Sequence, residues 1–202
     1  RRAKPQLAGV PQTASPGPNP FTKGTLRIDT QFKVGDSYSF REIDIYTKLE
    51  LRKFVNRITE ITGDLVIFND GRLITDLFGN TVKAGNGWRY TSLQQFISEY
   101  AVGKKWSTRF KVDQGAIQSE SELEFRVVAR EQITVPAGTF DAFRVEGEGW
   151  ARGNFPGTTL IKPVYWIAPG VRRPVANEMF RRHSSGKVLS NERQEMTAYS
   201  QA

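Results

Sequence analysis

The sequence predicts a mainly β domain, built as a curved antiparallel sheet or half-barrel with one short helix. Turn signals recur at short intervals from Gly24 onward, among them Asn69-Asp70-Gly71, Gly85-Asn86-Gly87, Pro136-Ala137-Gly138 and Pro169-Gly170. The runs between them are rich in Val, Ile, Thr, Phe, Tyr and Trp. Short β-prone runs punctuated this way are the mark of an all-β domain. The helical stretches that a parallel α/β sheet needs between its strands are missing.

Ser37–Tyr46 changes parity midway. Tyr38 and Phe40 fall on even positions, Ile43 and Ile45 on odd ones, so a β-bulge near Arg41–Glu42 reconciles the two halves. Leu49–Ile61 reads as a long strand, and Leu65–Phe68 with Arg72–Leu77 as a hairpin about Asn69-Asp70-Gly71. Leu93, Phe96, Ile97 and Tyr100 are spaced i, i+3, i+4, i+7. With Ser92 and Gln95 as a capping box and Gly103 as a stop, they predict a helix over about 92–101 packed on the sheet. Further on, Leu123, Phe125 and Val127 alternate with Glu122, Glu124 and Arg126, and Phe143 and Val145 with Arg144 and Glu146. These two runs form a hairpin around Pro136-Ala137-Gly138. Leu160–Ala168 is the next strand, and Val175–Arg182 pairs with Lys187–Tyr199 in a last hairpin.

The organisation is one domain, residues 24–202, preceded by a basic arm or linker over residues 1–23. That arm holds Arg1, Arg2, Lys4 and Lys23 with no acid, and five prolines, so it carries half of the chain's net charge of +8. Proline favours extended backbone, which makes the segment a semi-rigid spacer or an arm that lies on a partner. The chain has no start Met and no leader-like apolar stretch, and reads as part of something longer. It contains no run of about 18 apolar residues, so no transmembrane segment is expected.

Composition excludes several chemistries. There is no Cys and only one His, so disulfides, thiolate nucleophiles and multi-histidine metal sites are not expected. His183 beside Ser184 and Ser185 lacks the setting of a nucleophile elbow and reads as a turn residue. The carboxylate pairs Glu42/Asp44, Glu120/Glu122/Glu124 and Glu146/Glu148 are i, i+2 neighbours on strands and predict a wet outer face. No catalytic residue, metal or cofactor is assigned. The basic pairs Arg172-Arg173, Arg181-Arg182 and Lys104-Lys105 are not interleaved with exposed aromatic platforms, so nucleic acid is a poor fit.

Aromatic residues make up 11% of the chain. A strongly curved sheet must fill its hollow with such rings or enclose a cavity for an acyl chain or other apolar ligand. Trp106, Phe125, Phe143, Trp150, Tyr165 and Trp166 are the candidates for that interior.

Three segments carry a resemblance. Glu131 through Val145 (EQITVPAGTFDAFRV) resembles the V-P-A-G-T-F hairpin of a group of bacterial envelope proteins of unknown function. Val102-Gly103-Lys104-Lys105-Trp106 is similar to that group's step into a strand, and Tyr165 through Val171 to its W-x-A-P-G-V strand end. The group resembles the lipoprotein carriers LolA and LolB, whose fold is an incomplete antiparallel barrel closed by helices. The resemblance implies that fold, a periplasmic or outer-membrane-associated location and no catalytic residue. Arg172-Arg173 stands where the group has a second glycine.

The expected function is therefore non-enzymatic binding of an apolar ligand, lipid included, or of an envelope protein partner, through the concave face or edge of the sheet. The alternative is an accessory subunit of a larger envelope assembly docked through its N-terminal arm. A hydrolase working through His183 or a carboxylate pair is the third possibility.

Overall fold

The computed structural model describes residues 26–202; the expected arm over residues 1–23 lies outside them. The described chain forms fourteen strands: β1 Leu26–Arg27, β2 Ser37–Asp44, β3 Glu50–Thr62, β4 Leu65–Phe68, β5 Leu73–Asp76, β6 Thr81–Lys83, β7 Arg89–Thr91, β8 Glu99–Tyr100, β9 Lys105–Gln114, β10 Ile117–Val135, β11 Gly138–Gly153, β12 Thr158–Ile167, β13 Ala176–His183 and β14 Val188–Ser200. All but β1 and β8 belong to one closed antiparallel barrel, in the order β10-β11-β12-β13-β14-β2-β3-β4-β5-β6-β7-β9. The expected half-barrel is thus a complete ring. Closure comes from β9, which pairs β10 on one side and the three-residue β7 on the other, Tyr90 facing Val112.

Local chemistry explains most of the turns. Asn69, Asp70 and Gly71 all have positive φ, at 48°, 57° and 85°, as their side chains allow, and join β4 to β5. Pro136 and Ala137 join β10 to β11, which pair along their whole length from Val135↔Gly138 to Ser119↔Gly153. The register of β2 on β3 slips between Glu42 and Ile43, where the sequence parity changes.

A second slip, between Val127 and Ala129 on β10, has a larger effect. It reverses which face each parity occupies. Phe125 and Val127 pack with Phe143, Val145 and Tyr165 inside the barrel. Ile133 and Val135, of the same parity, pack with Ala142 and Trp166 in a second core on the other face. The end of the β10–β11 hairpin is therefore buried on the face opposite to the one its first half buries, with Gln132, Thr134, Thr139 and Asp141 exposed on the other side, and the Ala137 amide donates to the Met196 carbonyl at 3.0 Å.

No helix forms over 92–101. Ser92 has φ 65°, which is not a helix N-cap geometry, and Glu99–Tyr100 pairs as β8 with β1. The segment dips into the barrel as a plug, burying Leu93, Phe96 and Tyr100. Side chains, rather than an i to i−4 ladder, meet the backbone amides of the segment. The Phe96 amide donates to Asn80 Oδ1 at 2.7 Å, the Gln94 amide to Thr108 Oγ1 at 3.0 Å and the Ile97 amide to Tyr100 Oη at 3.0 Å. Burial of three large apolar groups in the ring outweighs the helical periodicity.

The outer face of the adjoining wall is charged. Arg109 pairs with Glu122 at 2.9 Å and Lys162 with Glu148 at 3.1 Å. That is a water-facing surface rather than one that contacts hydrocarbon. Among the described residues no helix is long and apolar enough to cross a membrane.

Candidate functional site: the barrel interior

The interior-facing positions of β9 to β11 follow from pairing: Trp106, Thr108, Phe110 and Val112 oppose Phe125, Leu123, Ser121 and Ser119, which oppose Gly147, Gly149, Ala151 and Gly153. Bulky side chains on one strand thus face a stripe of small ones further along the wall. A Cβ on Gly147 would lie 2.5 Å from the Phe125 ring, and one on Gly149 would lie 1.9 Å from the Glu122 carbonyl oxygen. The wall there has no room for a side chain, and the ring of Phe125 fills the space.

At the level of the plug, aromatic rings close the interior. Trp106 stacks on Phe125 at 5.3 Å, Tyr100 lies 6.1 Å from Trp106 and 5.9 Å from Phe143, and Phe96 meets Tyr165 edge-on at 4.8 Å. Beside this layer the barrel is hollow. A cavity of about 450 Å³ runs between Tyr90, Phe110, Leu123, Ile161, Tyr165 and Met179, with Ala151 in its wall and Trp88, Phe155 and Leu189 around it. Its size falls in the range of small-molecule sites. The Tyr165 hydroxyl donates to Gln95 Oε1 at 2.9 Å, and burial pushes that phenol well above its ordinary pKa.

The six residues singled out in the sequence divide three ways. Trp106, Phe125, Phe143 and Tyr165 come together in the interior, and of these Tyr165 lines the cavity. Trp166 is buried on the opposite face of the sheet, where its indole donates to Glu131 at 2.9 Å and Arg193 lies over its ring at 4.9 Å. Trp150 is half exposed on the outer face, opposite Glu122 and Leu160. Missed in the sequence were the cavity wall proper, the small-residue stripe from Gly147 to Gly153, and Arg181. The stripe had a visible signal, since Gly-Glu-Gly-Trp-Ala-Arg-Gly alternates small with large or charged at period two.

The remaining candidates have structural partners. His183 bridges two turns, with its ring nitrogens 2.8 Å from Ser185 Oγ and 3.0 Å from the Pro156 carbonyl. Glu120, Glu122, Glu124, Glu146 and Glu148 are exposed, as the strand pattern requires. Glu42 is not on a wet face. It is buried, accepts from Arg52 at 2.8 Å and 3.0 Å and from Gln194 at 2.8 Å. Burial pushes its carboxyl up, and these hydrogen bonds more than offset it, leaving the group below the usual carboxylate range. Arg172 ties Asp29 at 2.9 Å, Asp36 at 2.7 Å and the Ala202 carbonyl at 3.0 Å. Arg173 lies over the Phe68 ring at 5.3 Å, and burial pushes its guanidinium down to about 10. Neither arginine is presented as a phosphate contact.

No family model matches the chain, and no curated protein does. Solved structures do. A candidate lipoprotein from Parabacteroides distasonis superposes with a TM-score of 0.51 at 12% identity, over 83% of this chain and 96% of that one. A candidate exported protein with a YmcC-like fold from Bacteroides fragilis gives 0.43 at 11% identity, over 84% and 97%. The hypothetical lipoprotein YmcC of Escherichia coli gives 0.48 at 9% identity, over 83% and 85%. The class defined is one of fold: the chain shares the barrel architecture of the Parabacteroides protein.

Proposed function

We propose that this chain is a non-enzymatic protein of the bacterial envelope that holds an apolar ligand inside its barrel. The observation that carries the reading is the 450 Å³ hollow between Phe110, Leu123, Ile161, Tyr165 and Met179. A domain of this size packs its interior to near-crystalline density unless something is accommodated there. The outer wall supports a water-filled compartment, because its Arg–Glu and Lys–Glu pairs suit solvent. The lipoprotein description of the Parabacteroides structure supports an envelope setting.

The test is binding of a neutral apolar fluorophore, N-phenylnaphthylamine, together with native mass spectrometry of protein purified from envelope extracts. The expected result is fluorescence enhancement with wild-type protein and its loss in Ala151→Phe, whose ring fills the cavity while the fold persists. A wild-type protein that is bare in the mass spectrum and leaves the dye dark overturns the reading.

A further inference from the structure

Given that hollow as the binding site, we infer that its ligand is an anionic amphiphile, whose acyl chain lies in the barrel and whose head group, a carboxylate or phosphate, meets Arg181. The inference rests on the reading above and adds the charge of the ligand.

The cavity wall contains no Asp or Glu, and Arg181 is its one charged side chain among the described residues. Arg181 faces inward because it pairs with Ile161, itself a wall residue, on β12. Arg181 is exposed, so the guanidinium stands toward solvent while the hydrophobic wall continues behind it. Among the described residues it forms no ion pair within 4.0 Å, unlike Arg41, Arg172 and Arg193, each held by carboxylates. The groups that feel its field are Tyr90 and Tyr165 in the wall and Glu192 on β14, each of which Arg181 favours in its ionised form. Glu192 is the one acid among them, it forms no ion pair with Arg181 within 4.0 Å, and its carboxyl is raised, by burial first and Glu42 second.

A guanidinium offers several donors in a planar fork suited to two oxygens of a carboxylate or phosphate. Beside a hollow whose other lining side chains are apolar or uncharged, among them Ser119, Ser121 and Thr159, it discriminates by charge. An anionic head gains a charge-assisted pair, and a neutral head of the same length does not. Exposed Phe155 and Leu189 flank the site and suit the proximal part of a chain.

The experiment compares displacement of N-phenylnaphthylamine by oleate, oleyl alcohol and oleoyl lysophosphatidate, on the wild-type chain and on Arg181→Gln. Oleate is expected to bind about tenfold more tightly than oleyl alcohol to the wild type, with the ratio falling to near one in Arg181→Gln. The comparison of oleate with lysophosphatidate then says which head group is preferred. If oleate and oleyl alcohol bind wild type equally, the charge inference is overturned and the cavity reading stands. If neither these nor the dye binds, both fall.

Discussion

Tyr165 on β12 donates its phenolic hydrogen to Gln95 at 2.9 Å, joining the barrel wall to the plug that dips into it. The bond is part-buried, and its removal leaves the Gln95 oxygen short of a donor. Tyr165→Phe is expected to lower stability by about 1–2 kcal/mol, and to increase hydrogen exchange selectively over 93–100. Uniform exchange across the barrel would show that the plug is not held by this bond.

Gly147 is a position where one methyl group matters. A Cβ there would stand 2.5 Å from the Phe125 ring, so Gly147→Ala must displace that ring from its stack on Trp106. A loss of about 1–3 kcal/mol is expected, as for overpacking generally. The double variant Gly147→Ala/Phe125→Leu should recover part of it in a denaturant titration, and additive losses would refute the coupling.

Arg172 holds two carboxylates with a side chain only 7% exposed, and Asp36 is 2% exposed. Removing the guanidinium strands buried negative charge. Arg172→Met should cost about 3–5 kcal/mol, or roughly 10 °C in Tm for a chain of this size. A shift of about 2 °C or less would mean that the pairs are solvated in solution.

Acid should weaken the fold through Glu42 and Glu195. Burial raises both carboxyls, but hydrogen bonds from Arg52 and Gln194 to the first, and from Arg193 and Arg41 to the second, leave each below its unfolded value. Their contribution is present above the unfolded carboxylate pKa, about 4.3, and is lost as pH falls through the folded value. Asp76 and Glu192, raised by burial, contribute with the opposite sign. The Glu42→Gln/Glu195→Gln variant should be less stable near neutral pH and show a shallower decline in Tm between about pH 5 and about pH 3 than the wild type. A parallel decline would exclude these two groups as the source.

Much of the fold was legible because strand alternation and turn chemistry are local. Leu123, Phe125 and Val127, the Pro136-Ala137 turn and the parity change before Ile43 all marked features that the structure contains. Ring closure was not legible, since it depends on a three-residue strand, Arg89–Thr91, whose partner β9 lies beyond the plug. The 92–101 segment had a helical period because a plug buries side chains at irregular intervals that happen to coincide with it. Trp150 and Trp166 were misplaced by size alone. Parity sets Trp150 with Glu146 and Glu148, and Trp166 on the face opposite Tyr165. Arg181 was seen as half of a basic pair, although Arg181 and Arg182 project to opposite faces of β13.

The interior is shaped as much by atoms left out as by those present. Along β11 the hydrogen-bonded backbone is continuous while Gly149, Ala151 and Gly153 contribute almost nothing beyond it. Capacity can therefore change without disturbing the pairing of the wall. Successive enlargement at Ala151, through Val and Leu, would shorten the longest chain admitted in graded steps, making one residue a ruler for guest length.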